Sequence, residues 1–274
     1  MAKDFLGKDL AGLNDKKLFL FDMDGTIYLE NTLFDGAKEL FDLIEERGGK
    51  YVFITNNSSK SVDAYIEKLA KMGVKVDENS FMTSSQAAAK LILDQYKGQK
   101  IYCQGTKSLI AELKKNGINV TEEYDESVKF ILVGYDSELT YEKLIITSKM
   151  LTNLKDVPYY ATNPDWVCPF SFGYVPDCGS MCFGLEKATG RAPIYIGKPN
   201  PTMVELSVDK YGYSKEQTLV IGDRVYTDIM SGINAGVDTV MVLSGEATME
   251  DYNASEKKPT WVLNSIKDIL DQIK

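Results

Sequence analysis

Residues Leu18 to Phe21 read "LFLF", apolar at every position, and the run stops at Asp22 and Asp24. A strand that is apolar on both faces needs cover on both faces, which a parallel sheet obtains from helices packed on each side. Runs of the same kind recur along the chain, among them "YVFIT", "TLVIG" and "DTVMV". Helical patterns stand between them. In "GAKELFDLIEERGG", Leu40, Leu43 and Ile44 share one stripe and Gly48 and Gly49 stop the helix. Asn200 before Pro201, with Gly212 past the end, is the asymmetric signature of another helix. Short strands alternating with helices predict an α/β fold built on parallel sheets.

The alternation is interrupted once. "KIYCQG", "KFILVGYD" and "VPYYATN", with helical patterns between them, form a βαβαβ unit of their own. "CPFSFGYVPDCGS" follows without periodicity and reads as a loop. "PIYIG" then returns to the first pattern. The reading is a Rossmann-like core split between residues 1–84 and 191–274, with a smaller α/β domain inserted at 85–190. The chain's 274 residues are enough for one large domain or two smaller ones.

Composition removes several function classes. With 31 basic against 40 acidic residues the net charge is −9, which disfavours nucleic acid as a partner. No apolar run reaches membrane-spanning length, and the N-terminal residues lack the apolar core of a leader, so a cytoplasmic protein without a membrane partner is expected. Cys103, Cys168, Cys178 and Cys182 occur without histidine or a Cys-x-x-Cys pair, and read as buried thiols rather than a zinc site. The chain has no histidine at all. Ser-His-Asp triads, Cys-His nucleophiles and His-ligated zinc are thereby excluded. Carboxylates, hydroxyls, amides and lysine must carry any chemistry.

Four apolar runs end in such groups. Asp22 and Asp24, two apart, point to one side if the strand continues, and two like charges are tolerable there beside a divalent cation. Magnesium suits such a pair, being hard and oxygen-seeking. Gly25 allows the sharp turn that follows. Thr55 and Asn56 end "YVFITNN", where a hydroxyl and amides suit phosphate oxygens. Lys198 follows "PIYIG" and can neutralise a nucleophile and a phosphate. Asp223 ends "TLVIGD", and Asp228 lies in the next helix, where either can serve a metal. Each feature has a plain structural alternative: a turn at "DG", a helix cap at Asn57 or Ser58, a solvated lysine, a cap at Asp223 or Asp228. The four together are a poor fit to chance.

Taken with their order and spacing, "DMDGT", Thr55, Lys198 and "GDRVYTD" resemble the four motifs of the haloacid dehalogenase (HAD) superfamily of phosphatases. The large insertion between the second and third motifs is similar to a C2-type cap. "TNN", "ATNPD", "GKPNP" and "GDRVYTDI" resemble subfamily IIA, the branch of nitrophenylphosphatase-like and nucleotide-monophosphatase-like enzymes. The resemblance implies Asp22 as the nucleophile that forms an aspartyl-phosphate, and Asp24 as the acid and then the base. It implies that Thr55, Asn56 and Lys198 hold the phosphoryl group. Mg2+ would be held by Asp22, the main-chain carbonyl of Asp24 and Asp223, with Asp228 in or beside that shell. A dehalogenase needs no acid for its halide, so Asp24 favours a phosphate ester. The cap would close over the site, with Asn163 and Asp165 as substrate contacts, ahead of Asp136 and Tyr174. Trp166 and the stretch from Phe170 to Tyr174 are further candidates, to pack on a substrate ring or within the cap. The implied partner is a small phosphorylated metabolite, and a homodimer is compatible with the resemblance. The alternatives are a phosphoryl transferase or mutase on the same scaffold, a receiver-like phospho-acceptor module, and a sensor without catalysis.

Overall fold

The computed structural model describes residues 3–170 and 172–274. In chain order it contains β1 (Leu18–Phe21), a small hairpin of β2 (Tyr28–Leu29) and β3 (Thr32–Leu33), α1 (Ala37–Glu46), β4 (Lys50–Thr55), α2 (Val62–Lys71), β5 (Phe81–Thr83) and α3 (Ser84–Gln95). Next come β6 (Lys100–Gln104), α4 (Lys107–Lys115), β7 (Asn119–Thr121), β8 (Phe130–Val133), α5 (Tyr141–Asn153), β9 (Tyr159–Ala161), β10 (Val167–Phe170), β11 (Gly173–Pro176), α6 (Cys178–Thr189) and β12 (Ile194–Tyr195). The chain ends with α7 (Thr202–Tyr211), β13 (Thr218–Gly222), α8 (Met230–Ala235), β14 (Asp238–Val242), α9 (Met249–Ala254), β15 (Trp261–Leu263) and α10 (Ile266–Ile273). The fold is α/β with parallel sheets, as the alternation of patterns requires. No helix among the described residues is long and apolar enough to cross a membrane.

Two compact units result. The first takes the chain through Thr55, then Asp63–Met82 and Lys198–Lys274; the second takes Asn56–Val62 and Thr83–Gly197. The first unit is built on the six-stranded sheet β15-β14-β13-β1-β4-β5. All four residues of β1 are buried, which is what its unbroken apolar sequence demands. On α1 the buried face is Ala37, Leu40, Phe41 and Ile44, with Leu43 at its margin. Phe41 meets Phe21 edge-on at 5.6 Å and stacks on Tyr51 at 4.7 Å. Truncating such a buried ring costs about 3–5 kcal/mol.

The register of this sheet positions the chemistry. β1 runs parallel to both neighbours, pairing Phe21 with Ile221 on one side and with Phe53 on the other. The residues just beyond therefore leave the sheet along one edge: Asp22, Thr55 and Asp223. The strand order runs from β1 through β4 to β5 on one side, then restarts across β1 at β13. That reversal between β1 and β13 is where an open parallel sheet leaves a crevice at its carboxyl ends.

The second unit has its own parallel sheet, ordered β12-β9-β8-β6-β7, plus the antiparallel hairpin β10–β11. Two features differ from the sequence reading. "PIYIG" does not return to the first sheet. Its strand β12 pairs with β9, Ile194 opposite Tyr160, and Gly197 N donates to Thr162 O at 2.8 Å, so it forms the edge of the inserted sheet. A two-residue strand carries too little pattern to reveal its partner. "CPFSFGYVPDCGS", of which Ser171 lies outside the described residues, is mostly hairpin and helix rather than loop: it holds part of β10, all of β11 and the start of α6. Its hairpin exposes Val167, Phe170 and Tyr174, so no inside–outside alternation marks it. The helix α6 that follows buries Cys178, Cys182 and Leu185, a stripe made partly of cysteines. Asp177 caps it, and the Cβ of any larger residue at Gly179 would stand 2.2 Å from Pro164 O. Cys103 is also buried, and Cys168 half-buried.

Candidate active site

Within the first unit, three segments far apart in sequence bring their carboxylates together. Asp22, Asp223 and Asp228 each offer an oxygen, and these atoms lie within 4.8 Å of one another. Lys198 stands among them, with Nζ 2.5 Å from Asp22 Oδ1, 2.6 Å from Asp228 Oδ1 and 3.3 Å from the Ile54 carbonyl. The lysine is only 3 % exposed. Burial alone would pull its pKa down, but Asp22 and Asp228 outweigh that and hold the ammonium above its ordinary range. Asp22 is driven the other way for a carboxylate: burial, then Asp228, raise its pKa well above normal although Lys198 opposes them. Asp223 is pushed up to about 6, again by burial first and then by Asp228.

The backbone is shaped around these side chains. Asp223 accepts from Glu246 N at 2.7 Å, and Thr26 Oγ1 lies 3.4 Å away. Gly25, at φ +83°, and Gly245 both back onto it; a Cβ at Gly245 would meet Asp223 Oδ2 at 2.0 Å. Ser244 Oγ donates to Gly25 O at 2.8 Å and ties the two glycine turns together. A Cβ at Gly222 would likewise strike Asp228 Cβ at 2.2 Å. Arg224 N donates to Asp228 Oδ2 at 3.0 Å, so Asp228 has both oxygens engaged. The Ser244–Gly245–Glu246 turn has no place in the motif reading. Its only sequence signal is a serine and a glycine at the carboxyl end of β14.

The Asp24 side chain has partners of its own. Its carboxylate is not one of the three, and its side chain is 71 % exposed. Tyr28 OH donates to Asp24 Oδ2 at 3.1 Å, and Lys68 Nζ lies 3.6 Å from Oδ1. Burial raises the phenol's pKa, with Asp24 adding to it, so Tyr28 remains a donor across the physiological range. Thr55 is buried at the end of β4.

The remaining candidates meet one another within the second unit. Asn56 Nδ2 donates to Asp165 Oδ2 at 3.0 Å, and Asn163 Nδ2 donates to Asn56 O at 2.9 Å. Asn163 Oδ1 accepts from Asp165 N at 3.0 Å. Asn163 is fully buried and Asp165 half-buried. Asp136 is also buried, paired with Lys143 at 2.8 Å. Trp166, Phe170 and Tyr174 are exposed.

The donor set of the first unit fits a hard divalent cation. Three carboxylates gather beside Lys198, and burial together with their mutual repulsion raises the pKa values of Asp22 and Asp223, an arrangement that a bound cation would relieve. All donors are oxygens, as Mg2+ requires, and no cysteine or histidine competes.

A haloacid dehalogenase-like hydrolase model matches residues 19–119, and a second HAD-hydrolase-like model matches residues 195–269. An acid sugar phosphatase of Staphylococcus aureus strain MRSA252 is 34 % identical over 94 % of this chain and 96 % of its own. The crystal structure of a 4-nitrophenylphosphatase from Thermotoga maritima superposes with a TM-score of 0.90 at 37 % identity, covering 96 % of this chain and 99 % of the other. A glycerol phosphate phosphatase from Mycobacterium tuberculosis, solved in complex with magnesium, gives a TM-score of 0.85 at 26 % identity, over 94 % of this chain and 78 % of that one.

Proposed function

Because the chain belongs to the haloacid dehalogenase-like hydrolases, as a phosphatase of their subfamily IIA, we propose a Mg2+-dependent phosphomonoesterase acting on small metabolites. Sugar phosphates, nucleoside monophosphates and p-nitrophenyl phosphate are the expected substrate class. The observation that carries this reading is the convergence of Asp22, Asp223 and Asp228 around Lys198 at one edge of the sheet.

The residues divide the work. An oxygen of Asp22 attacks phosphorus as the ester's P–O bond breaks, leaving an aspartyl-phosphate. Asp24, as the general acid, gives a proton to the departing oxygen, and the alcohol leaves. Asp24, now a carboxylate, takes a proton from the water that attacks the aspartyl-phosphate. Inorganic phosphate and the free Asp22 carboxylate result. Lys198 keeps its charge throughout, because its pKa is raised, and so balances both Asp22 and the phosphoryl oxygens. The Thr55 hydroxyl holds a phosphoryl oxygen. Asp22, Asp223 and the Asp24 carbonyl would hold Mg2+, with Asp228 in or beside the shell. Bound there, the ion supplies positive charge to the transferring phosphoryl group. Of the other candidates, Asp165 is the residue to meet a ligand, with Asn56 and Asn163 fixing its carboxylate and backbone. The reading extends to the cytoplasm, a reducing compartment that suits the buried thiols Cys103, Cys178 and Cys182.

A chromogenic phosphate ester tests the proposal. Asp22→Asn should reduce turnover to the uncatalysed background, and EDTA should do the same to the unmodified enzyme. Release of inorganic phosphate without any acceptor separates hydrolysis from phosphoryl transfer. Unchanged turnover in Asp22→Asn would remove the nucleophile.

A further inference from the structure

We propose that Tyr28 and Lys68 are positioning residues for Asp24, holding its carboxylate in place so that it can protonate a poor leaving group. The inference rests on the role given to Asp24 above. Its starting point is a mismatch. An exposed carboxylate normally needs no fixed partner, yet each oxygen of Asp24 faces one: Tyr28 OH at Oδ2 and Lys68 Nζ at Oδ1.

The contact is not required to make the turn. Main-chain bonds already close it: Gly25 N to Tyr28 O at 2.8 Å, and Ile27 N to Met23 O at 2.9 Å. Tyr28 itself is fully buried, and its single polar atom is directed at Asp24. Lys68, from α2, places Nζ 3.8 Å from the centre of the Tyr28 ring as well as 3.6 Å from Asp24. A cation on the ring face withdraws electron density and makes the phenol a stronger donor. The lysine thus acts on Asp24 twice, directly and through the tyrosine. An exposed ion pair by itself contributes too little to stability to explain a three-residue arrangement as a fold device.

The chemistry that gains is the first proton transfer. For that step the two partners hold the Asp24 carboxyl group in one orientation, one at each oxygen. A fixed carboxylate avoids the loss of orientation that a free rotor imposes. An alkoxide leaves poorly and needs the proton. A nitrophenolate leaves well and does not. The pair should therefore matter for alkyl phosphates and hardly at all for nitrophenyl phosphate.

The experiment compares kcat/KM, which reports the steps up to aspartyl-phosphate formation, for glycerol phosphate and p-nitrophenyl phosphate. The variants are Asp24→Asn, Tyr28→Phe, Lys68→Met and Lys68→Arg. Tyr28→Phe and Lys68→Met should lower kcat/KM about tenfold on glycerol phosphate and by no more than about twofold on the nitrophenyl ester. Lys68→Arg, which keeps a cation, should restore most of the ratio between the two esters. Equal losses on both esters, or none, would overturn the positioning role while leaving Asp24→Asn selective. If Asp24→Asn itself affects both esters equally, the acid role fails and the inference fails with it. Should Tyr28→Phe not fold, Lys68→Met decides, since that side chain lies on a surface helix and is 25 % exposed.

Discussion

A buried polar cluster in the first unit and one in the second differ in how their demands are met. In the second unit, Asn56, Ser58, Thr162 and Asn163 form a largely neutral network. Ser58 Oγ accepts from Tyr135 N at 3.0 Å and lies 3.0 Å from Thr162 Oγ1, while Asn56 O receives both Asn163 Nδ2 and Ser84 Oγ. In the first unit, three carboxylates cluster, and one ammonium contacts two of them. The first arrangement is satisfied as it stands. The second carries unbalanced negative charge, and a chain tolerates that where a cation and a substrate supply what is missing. A buried network that closes on itself needs no bound charge, and the one left short of positive charge is where the proposed chemistry sits.

The contrast can be broken by substitution. The largest effect is expected from Lys198→Met, which leaves Asp22 and Asp228 buried beside one another without a counter-charge. Breaking a buried pair in this way costs about 3–5 kcal/mol. Urea unfolding in EDTA should show that loss, and added Mg2+ should recover part of it. An unchanged midpoint would mean that the lysine does not hold the cluster together.

The second effect is the response to Mg2+ itself. Without the ion, Asp223 has its pKa raised to about 6 in the folded protein against an ordinary value of 3.8, and Asp22 is raised too. A raised carboxylate favours the protonated native state. Its contribution is complete below the unfolded value and is lost as pH climbs through about 6. Metal-free stability should therefore fall between pH 4 and pH 6, a range bounded by those two values. Mg2+ needs the ionised groups, so its stabilisation should be small near the bottom of that window and full above it. At a hundredfold excess over Kd it should reach about 2.7 kcal/mol. Melting curves with Mg2+ and with EDTA across that window measure it, and a Mg2+ effect independent of pH would contradict the assignment of ligands.

The smallest effect belongs to the satisfied network. Asn163→Ala removes the donor to Asn56 O and the acceptor of Asp165 N, at about 1–3 kcal/mol. The loss should be the same with Mg2+ or EDTA. A loss that vanished when Mg2+ was added would couple this network to the metal and blur the contrast between the two clusters.

Much of the site was legible because strands end abruptly. Leu18–Phe21, Lys50–Thr55 and Thr218–Gly222 each carry an apolar run into a functional group, and parallel register aligns those ends. The turn at Ser244–Glu246 was not legible, because backbone N–H groups leave no mark in side-chain identity. Nor was the company kept by Asp24. Tyr28 is nearby in sequence and reads as a core aromatic, and Lys68, forty-four positions on, reads as one solvated helical lysine among several.

The sequence by itself determined the α/β alternation, the absence of histidine chemistry and the acidic ends of the strands, because periodicity and residue type are local properties. Only the tertiary structure decided that "PIYIG" edges the inserted sheet, that Cys178 and Cys182 lie on a buried helix face, and that Lys198 lies between Asp22 and Asp228. Those outcomes depend on which surfaces pack together, and packing is a property of the whole chain rather than of any stretch of it.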